Sequence, residues 1–395
     1  MKTDKKWVGS WSTSPARAGI HIPPLIHLDN GLLFSTSRSI IRPTLSGDSI
    51  RLNLSNVYSR KPLHISETTV AEYLGGKADT GKAVNITFGG KKEVTIPAGG
   101  EVLSDPVEFK VEALKKIAVS FYVKHAVMRT KGLYGADTYL SPGNCTHKEK
   151  YTPWWHLHLK VPMAHMQTVP FLTRVDVLAE DNCYAIVVAG DSTVTNEKPY
   201  LLAERLQKMG IHHIAVLQQA IAGNRILENG HGIVGNLYGA GLIERFGRDI
   251  LSCPGVKKII LKEGINDMLH PRCLTVGGPK MTTSKDITEG LQKVIDLAHK
   301  NNLEIYLSKL TPFKGWGKLL PFIDDFTWTR ECQDIVDETN EWIDSCNAEG
   351  IINVDFIKDE KDSEKMKEEY SIDMLHYNLK AQEIFVDSID ESFLL

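Results

Sequence analysis

The sequence predicts a two-domain protein: an all-β sandwich or jelly roll over residues 1–175, then an α/β domain with a parallel sheet over residues 176–395. Three observations lead to this fold class. The 395 residues are enough for two domains that each bury a substantial core. Up to about residue 175 the chain has the pattern of short strands separated by turn residues. Beyond that point strands alternate with helices, which favours a parallel sheet covered on both faces.

Strands of the first domain are predicted from alternation of apolar and polar residues. Residues 49–56 alternate with period two, the pattern of a half-buried strand, and residues 117–123 form a further strand. Residues 84–88 and 94–96, separated by Gly89-Gly90, predict a hairpin.

A short aromatic stretch, Trp154-Trp155-His156-Leu157-His158, allows two interpretations. The tryptophans could stack on sugars, and the two histidines could bind a metal from one face of a strand. No third ligand lies nearby in the sequence to complete a zinc site, so we favour a strand that carries surface aromatic residues. We therefore predict no metal and no cofactor.

The second domain is predicted as alternating elements after a boundary near residues 170–182. Short apolar runs indicate the strands, and apolar residues at helical spacing indicate the helices. The predicted strands are 183–189, 213–218, 256–261, 303–310 and 351–355, and the predicted helices are 199–209, 239–252, 286–300, 329–348 and one after Asn378.

Composition limits the classes of partner and compartment. A net charge of −3 gives no reason to expect nucleic acid or an anionic membrane surface. No apolar run approaches the length of about 20 residues that spans a bilayer. Residues 1–6 lack the apolar core of a signal peptide, so the expected location is the cytoplasm, or the exterior if a leader has been removed. Six scattered cysteines suggest reduced thiols.

One stretch organises the second domain. Residues 185–189 form an apolar strand that ends at Gly190-Asp191-Ser192, and a helix follows. A serine in such a turn lies clear of the backbone, and the start of the following helix directs free N–H groups at a developing oxyanion. Alone, the motif is more often a turn or a helix N-cap.

Three further motifs follow in order: Gly223-Asn224, Gly264-Ile265-Asn266-Asp267, and Asp373-Met374-Leu375-His376. The first two come just after predicted strands, and the third precedes the last helix. Because ligands of open α/β sheets bind beyond the carboxyl ends of the strands, we expect these motifs to converge at one edge.

This ordered set resembles the SGNH (GDSL-type) hydrolase family. The resemblance implies a flavodoxin-like three-layer catalytic domain, and more loosely it extends to two-domain members in which a β-domain precedes the hydrolase. It implies that Ser192 is the nucleophile, His376 its general base and Asp373 the partner of that histidine. The residues implied for the oxyanion hole are Ser192, Gly223 and Asn266, with Asp191, Asn224 and Asp267 in support.

The expected activity is that of a serine esterase acting through an acyl-enzyme. Thr193 stands where the family usually has leucine, a variant similar to rhamnogalacturonan acetylesterase-like members, so the expected substrate is a short acyl ester, an O-acetyl group on a carbohydrate or another small molecule. Two alternatives stay open: a lipase, lysophospholipase or thioesterase for longer acyl chains, and a catalytically silent carbohydrate-binding protein. A homo-oligomer is also left open.

Overall fold

The computed structural model describes residues 4–17, 20–22, 26–28, 30–128, 130–132, 135–161, 164–195, 197–231, 235–272, 281–317 and 328–395. Asn196, Cys273 and the side chain of His158 lie outside the described residues. The chain forms two compact units, and the first comprises Met1–Ala185, Gly210–Gln218 and Cys253–Gly255. The second comprises Ile186–Met209, Gln219–Ser252 and Val256–Leu395.

The N-terminal part of the chain is rich in strands, as the alternating pattern predicts. The strands are β1 (Lys5–Ser12), β2 (Pro15–Arg17), β3 (Ile20–Ile22), β4 (Ile26–Leu28), β5 (Asn30–Ile41), β6 (Gly47–Ser55), β7 (Leu63–Ile65), β8 (Glu67–Gly75), β9 (Asp79–Thr80), β10 (Val84–Ile86), β11 (Val94–Ile96), β12 (Glu101–Leu103), β13 (Val107–Val111), β14 (Ile117–Met128), β15 (Thr130–Gly132), β16 (Ala136–Pro142), β17 (Trp155–His156), β18 (His158–Val161), β19 (Ala164–Gln167), β20 (Val169–Pro170) and β21 (Leu172–Glu180).

Two larger sheets contain most of these strands. One has the order β1-β21-β6-β12, with β13 also on β6, and the other has the order β10-β8-β14-β5-β16-β17, with β9 on β8. Neighbouring strands are antiparallel; β14, for example, pairs with both β5 and β8. Trp154 and Trp155, at the edge strand β17, are exposed, as favoured for that aromatic stretch.

The predicted hairpin over residues 84–96 is wrong. Strand β10 pairs with β8, whereas β11 pairs with β7 in a separate sheet. Ile86 and Ile96 are both fully buried, but a short apolar pattern does not specify which strand pairs with which. Only the bridge between Phe88 and Lys91 spans the Gly89-Gly90 turn.

The second half of the chain alternates strands and helices. Its elements are β22 (Tyr184–Gly190), α1 (Lys198–Lys208), β23 (Ile214–Ala220), α2 (Leu242–Phe246), β24 (Val256–Lys262), α3 (Ile265–Leu269), α4 (Ser284–Lys300), β25 (Glu304–Ser308), α5 (Arg330–Ser345), β26 (Gly350–Ile352), α6 (Leu379–Asp387) and α7 (Glu391–Leu394). Short 3₁₀ turns lie at Ser192–Val194, Gly235–Tyr238, His270–Arg272, Asp355–Ile357 and Glu368–Tyr370, and a π-helical turn, Gly247–Leu251, follows α2.

The sheet of this half has the strand order β23-β22-β24-β25-β26. The pairs β24–β25 and β25–β26 are parallel, as predicted. All seven residues of β22 are buried, which explains why the strand reads as a continuous apolar run instead of an alternating one.

Side-chain caps begin three of the helices, α4, α5 and α6. Thr283 accepts from the N–H of Asp286 and Asp286 reciprocates, which forms a capping box at α4. Thr329 accepts the N–H of Cys332 at the start of α5, and Asn378 accepts the N–H of Ala381 at the start of α6. None of the helices in the described ranges combines the length and the hydrophobicity that crossing a membrane requires.

Candidate active site

The turn that presents Ser192 is built on a glycine that no other residue could replace without moving the backbone. Gly190 ends β22 with φ of 145°, and a Cβ there would lie 2.0 Å from the carbonyl oxygen of Lys262. Asp191 then caps the 3₁₀ turn by accepting the N–H of Thr193 at 2.7 Å. The close approach of β22 and β24 thus places Ser192, which is half-buried, at the end of the sheet.

Three side chains form a chain of hydrogen bonds at this point. Ser192 Oγ lies 2.8 Å from His376 Nε2, and His376 Nδ1 lies 2.7 Å from Asp373 Oδ2. The other carboxylate oxygen, Asp373 Oδ1, accepts the backbone N–H groups of Leu375 at 3.0 Å and His376 at 2.8 Å. The Asp-x-x-His spacing therefore lets one local turn hold both the carboxylate and the ring.

The surroundings of Asp373 favour its ionised form. Burial alone would raise the pKa of Asp373, but hydrogen bonds from the His376 ring and from two backbone N–H groups hold that pKa below its ordinary value. The Asp373 side chain is 5% exposed and that of His376 is 24% exposed, so the imidazole is partly open to solvent while its carboxylate partner is shielded.

Asn266 lies beside the same turn. Its Nδ2 donates to Asp191 Oδ2 at 3.2 Å, and Asp191 is the residue that precedes the serine. Gly264, with φ of 124°, permits the sharp change of direction from β24 into α3. A side-chain amide has two N–H groups, so the bond to Asp191 leaves a second N–H for a ligand.

The Gly223 segment is held next to this turn by backbone and carboxylate contacts. The N–H of Ile221 donates to the carbonyl of Gly190 at 3.0 Å. Further along, the Asp267 carboxylate accepts the N–H groups of Ile226 at 2.8 Å and Leu227 at 3.1 Å. Burial raises the pKa of Asp267 to about 7. Asp267 thus joins the loop after β23 to the start of α3.

Asn224 is tied to a buried arginine, Arg245, in a stretch that the sequence pattern predicts as a solvated helix face; that prediction is wrong. Arg245 Nε donates to Asn224 Oδ1 at 2.9 Å, and Arg245 Nη1 donates to the carbonyl of Gln219 at 2.8 Å. Arg245 is 1% exposed and pairs with buried Asp249 at 3.1 Å. An arginine and an aspartate four residues apart are typical of a solvated helix face, so the sequence does not indicate that Arg245 holds Asn224.

Two buried lysines also face the site without a clear signal in the sequence. Lys198 Nζ lies 4.8 Å from the centre of the Tyr377 ring, next to His376, and Lys262 Nζ lies 5.8 Å from the same ring. Lys262 also donates to the carbonyl of Lys309. Burial lowers the pKa of each lysine to about 7. Lys262 ends an apolar strand, which is a weak hint of burial; Lys198 gives none.

We expect Lys198→Met to raise the free energy of unfolding by about 1–4 kcal/mol near neutral pH. The folded chain holds the pKa of Lys198 at about 7 against an ordinary value of 10.5, so between these values the unfolded chain binds more protons and wild-type stability rises with pH. The gain from the mutation should thus be larger at pH 6 than at pH 9. Urea unfolding at both pH values measures the free energy of unfolding. The matched variant at an exposed lysine of α4, Lys293→Met, should change that free energy little at either pH.

A hydroxyl hydrogen-bonded to an imidazole that is oriented by a carboxylate is the arrangement of a serine hydrolase. Residues 186–389, which include every residue of the site described above, match the GDSL-like Lipase/Acylhydrolase family. The match spans just over half of the chain, and the protein belongs to this family of acylhydrolases and esterases. No curated protein matches the sequence.

The solved structures that match part of this chain are distant in sequence. They include an acetyl xylan esterase, AlAXEase, at 17% identity over 53% of this chain and 98% of that one, with a TM-score of 0.38. A GDSL-like lipase from Bacteroides thetaiotaomicron VPI-5482 has 13% identity over 53% and 87% of the two chains, with a TM-score of 0.38. The psychrotrophic esterase EstA from Pseudoalteromonas sp. has 15% identity over 53% and 96%, with a TM-score of 0.35.

Proposed function

We propose that the protein is a serine esterase that hydrolyses short acyl esters, with O-acetyl groups on carbohydrate as its substrate class. The observation that carries the esterase mechanism is the pair of contacts Ser192 Oγ–His376 Nε2 at 2.8 Å and His376 Nδ1–Asp373 Oδ2 at 2.7 Å. The partial exposure of Ser192 and His376 supports an ester carried on a bulky polar acceptor, and the Gly-Asp-Ser-Thr-Val variant supports a sugar as that acceptor.

The first half of the reaction transfers the acyl group to the enzyme. Ser192 Oγ gives its proton to His376 Nε2 and attacks the ester carbon, and the carbonyl oxygen becomes an oxyanion. The imidazolium, stabilised by Asp373, then donates this proton to the departing alcohol oxygen as the ester C–O bond breaks. In the second half, water gives a proton to His376 and attacks the acyl-serine, and the same steps release the acid and regenerate Ser192.

The oxyanion needs donors that are already in place. We assign this role to the backbone N–H of Ser192, the backbone N–H of Gly223 and the second N–H of the Asn266 amide. Asp191, which accepts the first N–H of that amide, and Asn224 and Asp267, which hold the Gly223 loop, are positioning residues. Neutral amide donors suit this task because they donate at every working pH.

We expect Asn266→Ala to lower kcat about 10²–10³-fold and to change KM little. The amide donates mainly to charge that develops in the transition state, so its removal destabilises the transition state more than the enzyme–substrate complex. Steady-state kinetics with nitrophenyl acetate separates the two parameters. The exposed variant Asn347→Ala is the matched control. An increase in KM at unchanged kcat would instead assign Asn266 to substrate binding.

Acetate release from acetylated xylan and pectin oligosaccharides tests the substrate class. The expected result is stoichiometric acetate release by wild type and none by Ser192→Ala. Hydrolysis of nitrophenyl octanoate in preference to acetate, with no release from either glycan, would contradict the proposal and favour an enzyme for longer acyl chains. Glycan binding without hydrolysis of any ester would instead indicate a catalytically silent protein.

A further inference from the structure

Tyr238 lies directly against the glycine assigned to the oxyanion hole. A Cβ at Gly223 would fall 2.2 Å from Tyr238 Cδ1 and 2.5 Å from Cε1, so the ring occupies the space that any side chain at position 223 would need. Gly223 also has φ of 71°, a conformation that favours glycine. The absence of a side chain at position 223 therefore leaves room for an aromatic ring against the residue whose N–H is assigned to the oxyanion hole.

The backbone at Tyr238 is held in place by buried polar groups. Asn224 Nδ2 donates to the carbonyls of Tyr238 at 2.7 Å and Ala240 at 2.8 Å, and Arg245 in turn orients the Asn224 amide. His270, which is 2% exposed, lies with its ring centre 4.8 Å from that of Tyr238. Tyr238 itself is only half-buried. Tyr238 thus packs against Gly223 with part of its surface and is exposed on the rest.

The order of the strands indicates which part of a bound ester lies next to Tyr238. Gly223 follows the edge strand β23, and Ser192 follows its neighbour β22. The His376 segment lies on the opposite side, because Tyr377 Oη lies 3.1 Å from Oγ1 of Thr311, which follows β25. His376 must protonate the departing alcohol oxygen, so the alcohol lies on its side of Ser192. The oxyanion points at the Gly223 and Asn266 donors, so the acyl group takes the remaining direction, away from His376, on the side of Ser192 where Tyr238 flanks Gly223.

We infer that Tyr238 is a specificity-determining residue whose ring closes the acyl side of the site and restricts it to acetyl-sized groups. This inference rests on the proposed esterase function and deepens it. A methyl group attached to the ester carbon fits between the oxyanion donors and the ring, whereas each further methylene must displace the ring or bend away from it. Asn224 and Arg245 contribute by holding the backbone of the segment that carries the ring.

The test compares kcat/KM for nitrophenyl acetate, butyrate and octanoate in wild type, Tyr238→Ala, Tyr238→Leu and Tyr238→Phe. We expect the octanoate-to-acetate ratio to rise about tenfold or more in the alanine variant and less in the leucine variant, because the opened space buries methylenes of the longer chain. Tyr238→Phe keeps the ring and should keep the wild-type ratio. Tyr73→Ala, in the other unit, is the matched control for loss of a tyrosine ring.

A ratio measured on one sample does not depend on the fraction of folded enzyme, so reduced yield of a variant leaves the comparison intact. An unchanged ratio in both Tyr238→Ala and Tyr238→Leu would overturn the inference while the esterase function stands. A wild type that prefers octanoate would overturn it as well. Absence of hydrolysis of all three esters by wild type would instead remove the proposed function, and the inference with it.

Discussion

Ser192→Ala is expected to lower kcat for nitrophenyl acetate about 10⁶-fold, to the residual rate that binding and the oxyanion donors provide. The variant removes the atom that attacks the ester carbon, and His376 then has no hydroxyl 2.8 Å away from which to take a proton. A fluorophosphonate probe, which reacts with activated serines, should label wild type with one equivalent and leave the variant unlabelled. Both measurements address the same atom by independent chemistry.

The control for this experiment is Ser345→Ala, at the exposed end of α5. It should keep the wild-type rate and one equivalent of label. Hydrolysis that persists in Ser192→Ala at more than a small fraction of the wild-type rate would assign the nucleophile elsewhere. In that case the roles proposed for His376, Asp373 and the oxyanion donors would also be withdrawn, since each is defined relative to this hydroxyl.

The second large effect is expected for Asp373→Asn, which should lower kcat about 10⁴-fold with little change in KM. Oδ1 of Asp373 accepts two backbone N–H groups, so the oxygen of an asparagine should take that position and its NH₂ should face His376 Nδ1. The ring must then accept at Nδ1 and carry its proton on Nε2. A protonated Nε2 cannot take the proton of Ser192.

The exposed variant Asp387→Asn on α6 controls for loss of a carboxylate in the same part of the chain. A variant with the wild-type kcat would show that Asp373 does not orient the ring.

Much of the second half of the fold could be predicted because its signals are local. The run that becomes β22 is apolar throughout since both faces of a parallel sheet are covered, and Thr283, Thr329 and Asn378 begin helices where side-chain caps are needed. The motifs around Ser192 and His376 could be recognised because turn geometry and proton transfer demand particular residue types at fixed spacing. The structure brings them together as expected.

Other features depend on contacts that sequence spacing does not record. Whether residues 84–86 pair with residues 94–96 or with β8 is decided by which apolar residues meet in the folded sheet. Arg245 looks like a surface charge until its neighbours Asn224 and Asp249 are seen to be buried with it. Tyr238 belongs to no recognisable motif, and its proximity to the site is seen from the packing of its ring against Gly223.

The triad joins residues that are 184 positions apart, and its two halves depend on different parts of the second unit. Ser192 follows a central strand, whereas Asp373 and His376 come after the last strand, β26, and add nothing to the sheet. Partial detachment of the C-terminal segment would therefore silence the enzyme while the sheet and the oxyanion donors persist. Loss of activity on mild denaturation is thus a measure of how firmly that segment docks, which is distinct from the global stability of the protein.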